Sequence, residues 1–162
     1  MKTINKKRYK GLWFYGMSGT GKTFASKFLY KKIKQSFILD GDYIRKVISK
    51  DLSYSVKDRT VQINRMNSLA LLAIINKTFP IVSTVYMNEE ILVNSKKNKI
   101  LVVKVVRKDL DVVKKKHKTY KNIKNVIGKD IFLPKIKTKE IKNTGDKEFN
   151  NELKKFLQLF KL

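Results

Sequence analysis

The sequence predicts an α/β fold: a three-layer sandwich around a mainly parallel sheet, with a mobile lid. Three observations predict it. Apolar runs of strand length recur along the chain, LWFY (12–15), FILD (37–40), IVSTVY (81–86) and ILVVKVV (100–106). Segments with apolar residues at helical spacing stand between them. Strands alternating with helices imply parallel pairing, because a parallel pair needs a crossover. Between the first strand and the first helix, residues 16–23 read GMSGTGKT, a phosphate-binding loop matched at Gly16, Gly21, Lys22 and Thr23.

The elements follow in order. Residues 1–10 (MKTINKKRYK) are a polar, basic lead-in. A first strand is expected near 11–16 and a first helix near 22–34, with Phe24, Phe28, Leu29 and Ile33 on one face. The second strand, FILD (37–40), ends in Asp40, and Asp40-Gly41-Asp42 opens a short helix through Ile48. Asp58 is placed as the cap of a long helix over 59–77, with Ile63, Met66, Leu69, Ala70, Ala73 and Ile74 inward. Pro80 starts the third strand, IVSTVY (81–86), and MNEEILVNS (87–95) is a short helix. The fourth strand (100–106) is nearly all apolar, as a buried parallel strand should be. A helix over 108–118 runs into KKKHKTYKN, charged and without apolar periodicity, which marks about 114–128 as the lid. Ile131–Leu133 and Glu140–Lys142 form a short hairpin or an edge strand, and FNNELKKFLQLF (149–160) is a closing amphipathic helix.

At 162 residues the chain is expected to be a single domain, 1–162. It has no Cys, which excludes disulfide scaffolds, thiolate metal sites and cysteine catalysis. No secretory signal is read at its start, and LALLAII (69–75) is too short to span a bilayer, so the expected location is the cytoplasm. The net charge is +25, from 38 basic and 13 acidic residues. A solvated lysine surface accounts for it; attraction of anionic ligands such as nucleotides is the functional alternative. Only five basic residues are Arg, and three of them, Arg45, Arg59 and Arg65, fall close together. Guanidinium forks suit bidentate contact with phosphate or sulfate, whereas pairing with Asp51 or Asp58 on a helix surface is the plainer reading.

The loop alone does not name a reaction. Its glycines let successive N–H groups face phosphate oxygens, Lys22 reaches the β- and γ-phosphates, and the Thr23 hydroxyl can ligate Mg²⁺. The Asn-Lys pairs at 5, 76 and 98 lack an Asp two residues on, so the guanine-reading signal is missing. The carboxylates sit instead at the end of the second strand, at the edge where parallel sheets bind ligands. Asp42 there suits proton acceptance from an incoming hydroxyl, and Asp40 suits the Mg²⁺ shell; a simple turn and helix cap is the alternative.

WFYGMSGTGKT followed by FILDGDYIRKVISKDLSYSVKDRTVQINR resembles the adenylylsulfate kinase family over residues 12–65. The DGDxxR…DL…S…DR pattern is more specific than the loop. The resemblance implies a nucleoside-kinase-like phosphate-loop fold and transfer of the ATP γ-phosphoryl group, with Mg²⁺, to the ribose 3′-hydroxyl of adenylylsulfate. It assigns the ATP phosphates to Gly16, Ser18, Gly19, Thr20, Gly21, Lys22 and Thr23, with Lys118 as the lid lysine. It assigns the acceptor-activating role to Asp42 and acceptor contacts to Arg45, Arg59, Tyr54 and the Gln62 position; the residues themselves give Lys22 a catalytic role at the phosphates and place Thr23 and Asp40 at Mg²⁺, with Asp40 beside the acceptor. Tyr54 takes the place of an aromatic that stacks on the acceptor base, and Pro134 that of a later proline. Relatives of this kind are often dimers.

Departures from the family pattern cluster on the acceptor side. The family Asn is Gln62, VYMNEE (85–90) replaces a Ser-Pro-Arg segment, Lys115-Lys116 replaces the Arg-Asp of the lid, and Val126 stands where a second base-stacking Phe is expected. Losing one stacking face costs roughly 1–3 kcal/mol. A smaller base therefore fits the pattern, and the sequence leans to cytidine diphosphoramidate, an intermediate in bacterial capsule decoration that relatives of the family phosphorylate. Adenylylsulfate itself is the alternative. Two further classes stay open: a nucleotide-dependent nucleic-acid-binding protein, although no reading motif is present and no nucleic-acid partner is expected, and a regulatory nucleotide sensor. His117, the only His, is expected to be a lid or surface residue rather than a catalyst.

Overall fold

The computed structural model describes residues 9–121 and 124–158. Its strands are β1 (Gly11–Tyr15), β2 (Ser36–Asp40), β3 (Phe79–Thr84), β4 (Ile100–Arg107) and β5 (Lys139–Asn143). Its helices are α1 (Lys22–Tyr30), α2 (Gly41–Val47), α3 (Val56–Ile75), α4 (Glu89–Lys97), α5 (Leu110–Lys116) and α6 (Asp146–Gln158), with a 3-10 turn at Lys118–Lys121. The five strands pair in parallel in the order β2-β3-β1-β4-β5.

β1 lies at the centre, and all five of its residues are buried. Its alternation sorts the two cores, since successive strand side chains point to opposite faces. Leu12 and Phe14 pack with Ala25 and Leu29 of α1 and with Phe149, Leu153 and Phe156 of α6. Trp13 and Tyr15 pack with Ile63, Met66 and Ala70 of α3 and with Ile91 and Leu92 of α4. Helices on both faces of one sheet make the three layers that the alternation predicts, and they leave the carboxyl ends of β1 to β4 open together.

Several expected boundaries move. α3 begins at Val56, and its cap is Ser55, whose hydroxyl accepts from the Asp58 N–H at 3.1 Å. A short hydroxyl reaches the third amide of the helix, so Asp58 sits inside the first turn, and its carboxylate accepts from the N–H and the hydroxyl of Ser53. Phe24 is about half exposed and leans on Phe149, while Ala25, Ser26 and Leu29 take the inner face of α1. No hairpin forms around 131–142 among the described residues: β5 pairs with β4 as a parallel edge strand, and Ile131 makes only an isolated bridge to Ile127. The charged segment after β4 splits into α5 and the 3-10 turn. Of the closing helix, residues 159–160 lie outside the described residues, as do residues 1–8 of the lead-in.

Candidate functional site

The phosphate loop leaves β1 and enters α1 through three glycines at positive φ. Gly16 stands at φ +147, and a Cβ there would come within 2.4 Å of the Val105 carbonyl oxygen. Gly21, the N-cap of α1, stands at φ +102, and a Cβ would meet the Asn143 amide at 2.7 Å. Backbone packs against backbone at the first and against a buried side chain at the second, so only glycine fits. Thr20 is buried, and its hydroxyl donates to the Met17 carbonyl at 2.9 Å. Gly16, Thr20 and Gly21 therefore shape the loop, while Ser18, Gly19, Lys22 and Thr23 line the cleft beside it.

That cleft has a volume of about 600 Å³ and runs from the loop to the acceptor side. Lys22 is buried at its floor, and its ammonium donates to the Met17 carbonyl at 2.8 Å. Burial lowers its pKa to about 8, against the opposing pull of Asp42 and then Asp40. Thr23 donates its hydroxyl to one Asp40 oxygen at 3.0 Å, and the other Asp40 oxygen accepts from the Asp42 N–H at 3.0 Å, capping α2. Asp40 thus ties the start of α1 to the start of α2 and presents a hydroxyl and a carboxylate side by side. Two hard oxygen donors at the end of a phosphate loop fit Mg²⁺. Asp42 lines the cleft one residue into α2. Gln62 donates its amide to the Gly41 carbonyl at 3.2 Å from the buried face of α3.

On the side where the sequence places the acceptor, Arg45 donates to the carbonyls of Leu52 and Ser53 at 3.2 and 2.6 Å. Arg59 donates to the carbonyls of Tyr54 and Asn125 at 3.0 and 2.8 Å. Burial holds the Arg59 pKa below its ordinary value. Among the described residues neither guanidinium forms a direct ion pair with a carboxylate; Asp58 acts on Arg45, and Asp130 and Asp42 on Arg59, only from a distance. Both guanidiniums lie over the Tyr54 ring, 4.5 and 5.4 Å from its centroid. A base stacking on Tyr54 therefore has to share or displace these cations. Arg65 lies elsewhere: it holds Asp51 bidentately on the surface at 2.6 and 2.7 Å. For Arg65 the plainer reading of the arginine cluster is correct.

The segment expected as a lid borders the same cleft through His117, Lys118 and Thr119, followed by Asn125, Val126 and Ile127. His117 accepts the Thr119 N–H at its Nδ1 and meets Tyr120 edge-on. Sequence reasoning missed three residues that touch the loop. Tyr120 donates to the Ser18 carbonyl at 3.0 Å, Arg107 to the Gly19 carbonyl at 3.4 Å, and Asn143 to the Thr20 carbonyl at 2.9 Å. A lone aromatic in a lysine-rich run and a polar residue ending an edge strand were the only signals for Tyr120 and Asn143.

A parallel sheet with a phosphate loop at its centre, Asp40 and Asp42 at the end of β2 and the start of α2, and two guanidiniums lining the same cleft fits the phosphate-loop kinase architecture. The family described as adenylylsulphate kinase matches residues 8–115, and the chain belongs to that family. A probable adenylyl-sulfate kinase of Bacillus subtilis is 43% identical over 65 residues, 38% of this chain and 33% of that protein. The alignment thus spans about a third of that relative. A solved Mycobacterium tuberculosis APS kinase CysC, in complex with AMPPNP and APS, superposes with a TM-score of 0.73 at 22% identity, covering 94% of this chain and 97% of that one. A Janibacter sugar kinase superposes at 0.62 with 8% identity, covering 93% and 95%. These two likenesses bear on the fold alone.

Proposed function

We propose that this chain is an ATP-dependent kinase that phosphorylates the ribose 3′-hydroxyl of a small nucleotide conjugate. Family membership supports adenylylsulfate as the acceptor, ahead of cytidine diphosphoramidate. The observation that carries the reading is that Lys22 and Asp42 line one cleft with two guanidiniums that form no direct ion pair among the described residues.

The loop amides and Lys22 hold the ATP phosphates. Thr23 and Asp40 would hold Mg²⁺, which when bound would neutralise phosphate charge. Asp42 accepts the proton of the acceptor hydroxyl as the new O–P bond forms at the γ-phosphorus. The bond from that phosphorus to the bridging oxygen breaks, and ADP leaves with the electron pair. Arg45 and Arg59 hold the acceptor anion, and Gln62 braces the Gly41–Asp42 turn. Lys118 and the rest of the lid exclude water. The cytidine reading keeps one observation in its favour. Val126, where an aromatic is expected, is buried and offers a flat base no ring.

Phosphorus NMR of a reaction with ATP, Mg²⁺ and adenylylsulfate tests the reading. A new 3′-phosphomonoester signal growing with ADP is the expected result. ADP with inorganic phosphate only, whatever acceptor is added, would contradict it.

A further inference from the structure

Four successive carbonyls of the phosphate loop are each held by a side chain. The Met17 carbonyl accepts from Lys22 and Thr20 at 2.8 and 2.9 Å. The Ser18 carbonyl accepts from Tyr120 at 3.0 Å, that of Gly19 from Arg107 at 3.4 Å, and that of Thr20 from Asn143 at 2.9 Å. Three of the donors come from outside the loop, from the lid, the end of β4 and the end of β5. There is no cis peptide among the described residues. In a planar trans peptide the C=O of one residue and the N–H of the next point in opposite directions. Fixing the Ser18 oxygen on Tyr120 therefore turns the Gly19 N–H the other way. Fixing the Thr20 oxygen on Asn143 does the same for the Gly21 N–H. Among the described residues neither of these two amides has a protein acceptor, as a site awaiting an anion requires.

We infer that Tyr120 and Asn143 are positioning residues: they hold two glycine-flanked peptides of the loop so that the Gly19 and Gly21 amides face the ATP phosphates. Gly19 and Gly21 both sit at positive φ, at 81 and 102, where glycine rotates freely and peptide planes flip at little cost. A flip would aim a carbonyl at the phosphates, so an external clamp is needed. Asn143 is itself anchored: it is 4% exposed, and its Oδ1 accepts from the Gly145 N–H at 3.2 Å. Arg107 is the weaker clamp, since its contact is longer and its Nε is bound to Asp109 at 2.7 Å.

The inference rests on the reading that the loop takes ATP. The test compares wild type, Tyr120→Phe and Asn143→Leu, measuring the Kd for Mg²⁺-ATP by calorimetry, the KM for adenylylsulfate, and the thermal midpoint without nucleotide. Tyr120→Phe removes one oxygen from a half-buried ring. It is expected to weaken ATP about 3- to 10-fold, the size of one hydrogen bond, with the acceptor KM and the midpoint unchanged. Asn143→Leu is expected to weaken ATP by at least as much. A Kd for Tyr120→Phe within twofold of wild type would overturn the inference. So would a parallel loss of midpoint and of both substrates, which is what a merely structural contact predicts. Wild type that binds ATP without transferring phosphate would sink the kinase reading and leave the clamp to be judged on Kd alone. Wild type that does not bind ATP would sink both.

Discussion

At the scale of a single residue, the proposed function places most weight on the buried Lys22. Its folded pKa of about 8 lies below the ordinary 10.5 because burial penalises the ammonium more than Asp42 and Asp40 reward it. Below pH 8 the group is charged in the folded and unfolded chain alike, so the burial cost is fully present. Between about 8 and 10.5 only the unfolded chain keeps the proton, and this group's contribution to stability rises with pH. Binding runs the other way, because the phosphates need the charge. The kcat/KM for ATP should therefore fall on a basic limb with an apparent pKa near 8, and Lys22→Ala should lack that limb. A pH–rate profile from 6 to 10 measures it. Lys22→Ala and Asp42→Asn should each lose roughly 10²-fold or more in kcat; near-wild-type turnover by Asp42→Asn would remove that carboxylate from catalysis. Arg59→Ala should chiefly raise the KM for the acceptor, since its guanidinium stands at Tyr54 and Asn125; an effect confined to ATP would contradict its placement.

Among the elements, the start of α3 shows how much was legible and why the rest was not. The apolar spacing of Ile63, Met66 and Ala70 announced a helix, and those residues are its buried face. The cap was misplaced because Ser55 and Asp58 both qualify by type, and only the three-dimensional course of Ser53–Ser55 decides which oxygen reaches the free amide. Ser55→Ala should cost about 1 kcal/mol in urea unfolding. β1 and the loop were legible because their constraints are local: five buried residues, then glycines that no other side chain can replace. β5 was harder. Its partner β4 lies some 35 residues earlier, and a short strand that buries only Ile141 and Asn143 gives little periodicity. The clamps by Tyr120 and Asn143 on the loop were illegible for the same reason, since each spans more than a hundred residues of sequence.

For the whole molecule, the sheet gathers residues from the ends of β1, β2 and β3 into one cleft, and the chain carries a net charge of +25. Such a field should speed capture of anionic nucleotides and lose that effect as salt shortens the Debye length from about 10 Å at 0.1 M to 3 Å at 1 M. The kcat/KM for ATP should fall steadily across that range while kcat holds. ATP hydrolysis stimulated by RNA or DNA would instead favour the nucleic-acid reading. The same fold occurs in a sugar kinase, so the fold leaves the acceptor open, and the departures from the family pattern at Gln62 and Val126 make it the central question. The most direct measurement is an ADP-release assay with ATP and Mg²⁺ against adenylylsulfate, cytidine diphosphoramidate, CDP and buffer alone. Acceptor-dependent release, fastest with adenylylsulfate and abolished by Asp42→Asn, is the predicted result. Release that no acceptor accelerates would contradict the account, and release with the cytidine compound only would keep the phosphoryl-transfer machinery while assigning the pocket to a smaller base.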